Sequence, residues 1–224
     1  VSNFVKNTTG KTLARSFSGK CTVIPHGVGE IFSPPPEGDQ REDFLLAVSD
    51  IYVQKNFQNL LLALSELKEK HPGVLLKIAG RQLDTGYYRE LQRIVTNKGL
   101  ENNVQFLGSV EPAELTSLYQ RCRFFVFPSL VESFGNPLVE AMASGVPIAT
   151  SNVAAMPEVV GSAALLFDPE NVVNMATSLM RLFEDDQLRR NLSNKALERA
   201  QFFSWEKTAK STIEVIKSAS AGRA

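Results

Sequence analysis

The stretch RFFVFPSLVESFGNPLVEAMASGVPIAT, residues 123–150, decides how the rest of the chain is read. RFFVFP (123–128) is a short apolar run, the pattern of a strand buried on both faces. VPIAT (146–150) repeats it. Between them Asn136 suits an N-cap, and Pro137 suits the first helical position. Gly145 suits the residue that closes a helix, and Pro147 prevents its return. A short helix is therefore expected near 137–144, joining two strands.

Working outward, the same alternation recurs in both directions. FLLAV (44–48), VLLKIAG (74–80) and NVQFLG (103–108) read as strands before it, and residues 164–167 as a last strand after it. A helix is expected at 56–70, with Phe57, Leu60, Leu61, Leu64 and Leu67 on one stripe and His71-Pro72-Gly73 ending it. Further helices are expected at 86–98, 111–121, 170–183, 186–202 and 205–218. Strands that alternate with helices predict an α/β fold, a Rossmann-like parallel sheet with helices on both faces. Residues 31–43, IFSPPPEGDQRED, are too rich in proline and charge for a core element and read as a linker or an exposed loop. The residues before it, 1–30, end in the short strand pattern CTVIP and the turn His26-Gly27. They are too few for a domain and read as the tail of an absent one. The expected divisions are thus 1–30, 31–43, a ligand-binding domain over 44–204, and a final helix over 205–224.

In open parallel sheets ligands bind beyond the carboxyl ends of the strands. Of the strand ends in this chain, 129–145 is the richest. A loop carrying Gly135 before a helix start leaves backbone N–H groups available, which suits a phosphate. The competing reading is a plain capped helix, which every α/β protein contains.

Glu132 followed by FGNPLVEAMASG, with Glu140 eight positions on, resembles the E-x7-E motif of retaining glycosyltransferases built from two Rossmann-like domains, in particular glycosyltransferase family 4. VIPHGV (23–28), LLKIAG, FLGSV, PEVVGSAALLFDP (157–169) and FSWEKTAKSTIEVI (203–216) are similar to other segments of that family, in the same order. The resemblance implies the C-terminal, donor-binding half of a GT-B fold. It implies that the backbone around Phe134, Gly135, Asn136, Pro137 and Leu138 holds the β-phosphate and touches the sugar. Glu132 would contact sugar hydroxyls, Glu140 the ribose, and Lys55 the diphosphate, so that Glu132 and Lys55 carry the catalytic assignment. Gly80 would let the base approach closely, and Val110 would offer backbone groups to its edge. The donor would be of the UDP-sugar or GDP-mannose type, with transfer retaining and independent of metal, and with no cofactor. The acceptor would be a glycan or lipid-linked molecule bound by the absent N-terminal domain. This half alone is expected to bind without turnover.

Lys55 has a second argument. It is expected where a helix begins, a position that disfavours a cation until an anion binds. One departure stands out, since Asp50 occupies the position where the family commonly has Arg, and an acid there repels a diphosphate. Two other readings use the same residues: a nucleotide-sugar 2-epimerase of this fold, and a non-catalytic binding module.

Composition narrows the classes. Lys and Arg total 24 and so do Asp and Glu, with no basic cluster, which argues against nucleic acid as a partner. No apolar run approaches the length of a membrane span. The chain opens on Val1, which reads as a fragment or a processed chain. Cys21 and Cys122 lack metal-ligand spacing and read as small buried residues of a reduced, cytoplasmic protein, at the inner face of a membrane if the acceptor is a lipid. Glu184-Asp185-Asp186 reads as a helix cap rather than a metal site. His26 and His71 read as isolated, and Trp205 as an anchor packing the final helix.

Overall fold

The computed structural model describes residues 1–12, 21–36, 38 and 40–221. Parts of the expected tail (13–20), linker (37 and 39) and final segment (222–224) lie outside the described residues. Six strands form one parallel sheet: β1 (Phe44–Val48), β2 (Leu75–Ala79), β3 (Val104–Gly108), β4 (Phe124–Phe127), β5 (Ile148–Ser151) and β6 (Ala164–Phe167). Their order across the sheet is β3-β2-β1-β4-β5-β6, the doubly wound arrangement. All five pairings are parallel, with β1 beside β4 at the centre.

Successive strand residues point to opposite faces, and here both faces are buried. Leu45, Ala47, Phe124 and Val126 join one apolar cluster with residues of α2 (Phe57–Lys70), α3 (Thr85–Asn97) and α7 (Val172–Glu184). Phe44, Leu46, Phe125 and Phe127 join the other, with α4 (Pro112–Arg121), α5 (Asn136–Ala143) and α6 (Met156–Val160). The unbroken apolar strands are thus the sequence signature of a sheet covered on both sides. Leu60, Leu61, Leu64 and Leu67 of α2 are fully buried, as the stripe predicts. The helical tail divides into α7, α8 (Asp186–Ala200) and α9 (Trp205–Ala221). Asp185 caps α8 by accepting from the Leu188 N–H at 2.8 Å, so the acidic triplet includes a cap.

Several expectations are corrected. CTVIP forms no strand; only Val28 makes an isolated bridge, to Ser204. Its backbone is held instead by the chain around α9: Thr208 Oγ1 donates to Pro25 O at 2.8 Å, and Val28 N to Phe203 O at 3.3 Å. A helix, α1 (Asn3–Thr12), lies in the segment expected to be a tail. NFVKNTTGKT has little helix propensity and a weak apolar stripe, but Glu158 of α6 accepts from the Asn3 and Phe4 N–H groups at 2.8 and 3.1 Å. A carboxylate supplied from 154 residues away therefore caps it. The segment expected as a linker is irregular and is held to the domain by polar contacts. Arg41 donates to carbonyls at the ends of α4 and α5, and Gln120 donates to Ser33 O at 3.0 Å. Cys21 is exposed, because the segment it sits in is not a core strand, whereas Cys122 is buried and its thiol is pushed up to about 12.

Candidate functional site

In the doubly wound order the chain leaves β1 toward one side of the sheet and β4 toward the other. In this topology a crevice is expected beyond their carboxyl ends. The loops after β1 and β4 meet across it, with Leu130 N donating to Gln54 O at 2.9 Å. Asn56, left-handed at φ 55°, closes the first loop. Its amide donates to Pro128 O and Pro169 O at 3.1 and 2.8 Å, which fixes where α2 starts.

Lys55 and Glu132 are brought together here. Nζ lies 2.6 Å from Oε1, and the side chains are only 10% and 15% exposed. The ammonium also lies over the Tyr52 ring at 5.1 Å. Lys55 does not begin a helix, however. It ends the 3-10 turn Val53–Lys55, two residues before α2. Asn56, between them, is the N-cap of α2, so Lys55 stands just outside the positive end of that helix, and Glu132 already balances its charge.

Gly135 rather than Asn136 is the N-cap of α5, because Gly135 takes the left-handed conformation at φ 91° and Asn136 is the first helical residue. A Cβ at Gly135 would sit 3.2 Å from Leu138 and 3.4 Å from Phe127. Pro137 has no N–H to lose in the first turn. The side chains of Phe134 and Leu138 are buried, so only their backbones can face a ligand. Glu140, one turn in, accepts from the Tyr119 hydroxyl at 3.0 Å, and burial pushes its carboxyl above the usual range against that hydrogen bond.

Gly80 and Val110 line one small cavity of about 160 Å³, with Ser49, Asp50, Arg81 and Ser109. Gly80 has φ 152°, and a Cβ there would meet Ser49 O at 1.9 Å, so the ends of β1 and β2 approach as only glycine allows. Asp50 is not left as a bare acid. Arg81 binds it through Nη2 at 2.6 Å, Nε at 3.1 Å and its own N–H at 2.9 Å, and the side-chain bond holds the Asp50 carboxyl below the usual range.

Three residues at this site escaped the sequence reading. Arg81 had one signal, a cation directly after a strand end. Tyr119 had none beyond the stripe of α4. His26 is not isolated. Its Nδ1–H donates to Asn136 Oδ1 at 3.0 Å, and its ring packs on Phe134 at 4.9 Å and stacks on Trp205 at 6.2 Å. Trp205 is 55% exposed, so it anchors α9 through this stack rather than by burial. His71 also has a partner, Glu184, at 3.1 Å. No group of three or more His, Cys, Asp or Glu able to hold a metal is found among the described residues. No helix there is long and apolar enough to cross a membrane.

Known proteins resemble this chain in sequence and in fold. The chain is 33% identical over 180 residues to O-antigen chain mannosyltransferase B of Escherichia coli, covering 79% of this chain and 46% of that protein. The chain thus spans about half the length of that relative. Its fold superposes with a TM-score of 0.87 and 24% identity on Anabaena Alr3699/HepE, solved with UDP and glucose, covering 97% of this chain and 62% of that one. It also superposes on the C-terminal domain of a glycosyl transferase group 1 family protein (LpcC) from Francisella tularensis. There the TM-score is 0.68 at 22% identity, over 77% of this chain and 95% of that one. These two likenesses establish the GT-B type of fold. The model of the family described as "Glycosyl transferases group 1" matches residues 30–199, from the packed linker to the end of α8, and the chain belongs to that family.

Proposed function

We propose that this chain is the donor-binding half of a glycosyltransferase that moves a hexose, mannose by preference, from a nucleoside-diphosphate sugar to a glycan or lipid-linked acceptor. The observation that carries this reading is the Lys55–Glu132 pair, held at 2.6 Å in the crevice between β1 and β4, in the same loop that leads through Gly135 into α5. In this reading the diphosphate takes the first turn of α5 and the Lys55 ammonium. Glu132, released from Lys55, accepts from sugar hydroxyls, and Glu140 accepts from the ribose. The base enters between Gly80 and Val110. Lys55 and the α5 amides then stabilise the leaving diphosphate, so transfer needs no metal. Retention at the anomeric carbon follows the family resemblance. The mannosyl preference rests on the Escherichia coli relative. Asp50, neutralised by Arg81, no longer weighs against the site.

The acceptor site belongs to a second domain. Ile213 and Ile216 of α9 are exposed, and no residue of that helix is buried, which supports a further domain lying against it. Isothermal titration of this chain with UDP, GDP, ADP and their sugars tests the proposal. One base should bind, equally well with Mg²⁺ and with EDTA, and without transfer to any acceptor. Glu132→Gln should weaken only the sugar-bearing donor, and Glu140→Gln the bare diphosphate and the donor alike. No binding of any nucleotide at millimolar concentration would overturn the reading.

A further inference from the structure

Tyr119 of α4 is fully buried, and its ring meets Phe125 and Phe32 edge-on at 5.4 and 5.8 Å. A phenol in such surroundings needs a partner for its hydroxyl. Two oxygens are within reach, both on α5: Glu140 Oε2 at 3.0 Å and Pro137 O at 3.3 Å. The hydroxyl has one proton and so donates to one of them at a time. Against an ionised Glu140 it donates to Oε2. Against a protonated Glu140 it can accept from the acid and donate to Pro137 O. Among the described residues it is the side-chain hydrogen-bond partner of Glu140, and its other titratable neighbour is the buried Cys122 thiol, faced in turn by Arg41.

We propose that Tyr119 is a positioning residue for donor binding: it pins Oε2 of Glu140, so that Oε1 is presented to the ribose hydroxyls. The inference rests on the reading of Glu140 as the ribose contact. Its physical content is that a half-buried carboxylate at the crevice keeps both its charge and its direction only if something on the protein side bonds to it. Tyr119 never touches the ligand.

Tyr119→Phe keeps the ring and removes the hydroxyl. Titrations with GDP and UDP, and with their 2′,3′-dideoxy forms, isolate the ribose contact, because the ratio of the two affinities cancels the titration of the phosphates. In the parent this ratio should favour the ribonucleotide and fall as pH drops through the Glu140 titration. In Tyr119→Phe it should fall roughly tenfold at neutral pH, the loss of one charge-assisted hydrogen bond, and its acid limb should move to higher pH. Replacement of Tyr119 by 3-fluorotyrosine, a stronger donor of nearly the same size, should move that limb to lower pH, and it serves if the Phe variant does not fold. Glu140→Gln is the control for the underlying reading. If Glu140→Gln leaves the ratio intact, Glu140 does not bind ribose, and both readings fall. If Glu140→Gln abolishes the ratio while Tyr119→Phe and the fluorotyrosine form keep the parent ratio and acid limb, the ribose reading stands and the role of Tyr119 is overturned.

Discussion

Removing the charge of Lys55 while keeping its length, by Lys55→Met, separates the two tasks given to the Lys55–Glu132 pair. At 2.6 Å the gross attraction is about 6 kcal/mol at an effective dielectric near 20. Desolvation of both groups offsets much of that, so the pair itself adds little net stability. Breaking it from one side is different, because Glu132 stays in the crevice, 15% exposed, without its counter-charge. Loss of one partner of a buried pair costs about 3–5 kcal/mol; the residual exposure of this one puts the cost near the lower end. For a domain of this size, about 3 kcal/mol lowers the melting temperature by roughly 6–12 °C. The double variant Lys55→Met with Glu132→Gln has no orphaned charge, so it should recover about 2 kcal/mol relative to the sum of the two single changes. Urea unfolding of all four proteins measures this coupling. The same four proteins, titrated with GDP and UDP, should show the opposite pattern, since the double variant regains stability but not affinity. A coupling below about 0.5 kcal/mol, within ordinary additivity, would refute the argument that the pair is held together out of water.

Gly80→Ala should destabilise by about 3 kcal/mol or more in urea unfolding, because its Cβ would lie 1.9 Å from Ser49 O and its φ of 152° suits glycine alone. Glu140→Gln should melt at or above the parent at neutral pH. Burial raises the folded Glu140 above its unfolded value, so its stabilising contribution is present below the usual carboxylate range and is lost as pH rises through the raised value; the difference should therefore shrink toward acid, and a gap that widens there would contradict the assignment. His26→Ala removes the hydrogen bond to Asn136 and the stack on Trp205, at a cost of about 1–2 kcal/mol. Because the chain has one Trp, its fluorescence should change with the loss of the stack, and an unchanged spectrum would refute the contact. Glu158→Ala removes the remote cap of α1, about 1 kcal/mol, and amide exchange should accelerate over residues 3–10 while the sheet stays protected.

What the sequence by itself determined is what repeats locally. Unbroken apolar runs such as FLLAV and RFFVFP, separated by striped helices with Pro and Gly at their ends, leave a two-sided parallel sheet as the consistent outcome, and the six strands, α2 to α5 and α7 to α9 lie within a few residues of the expected bounds, whereas α6 was not expected. The start of α5 was legible in part for the same reason: Gly135 and Pro137 lie together in its first turn, although the cap is Gly135 and not Asn136. What only the tertiary structure decided depends on partners far apart in the chain. α1 takes its N-terminal cap from Glu158 of α6, and the end of CTVIP is held by Thr208 of α9 rather than by a neighbouring strand. Lys55 meets Glu132 across 77 residues, Asp50 meets Arg81 across 31, and His26 meets Asn136 across 110. None of these pairings could be read from the sequence, although the family resemblance placed Lys55 and Glu132 at one site. Electrostatic character belongs to the pair and to its burial, and neither is a property of local sequence.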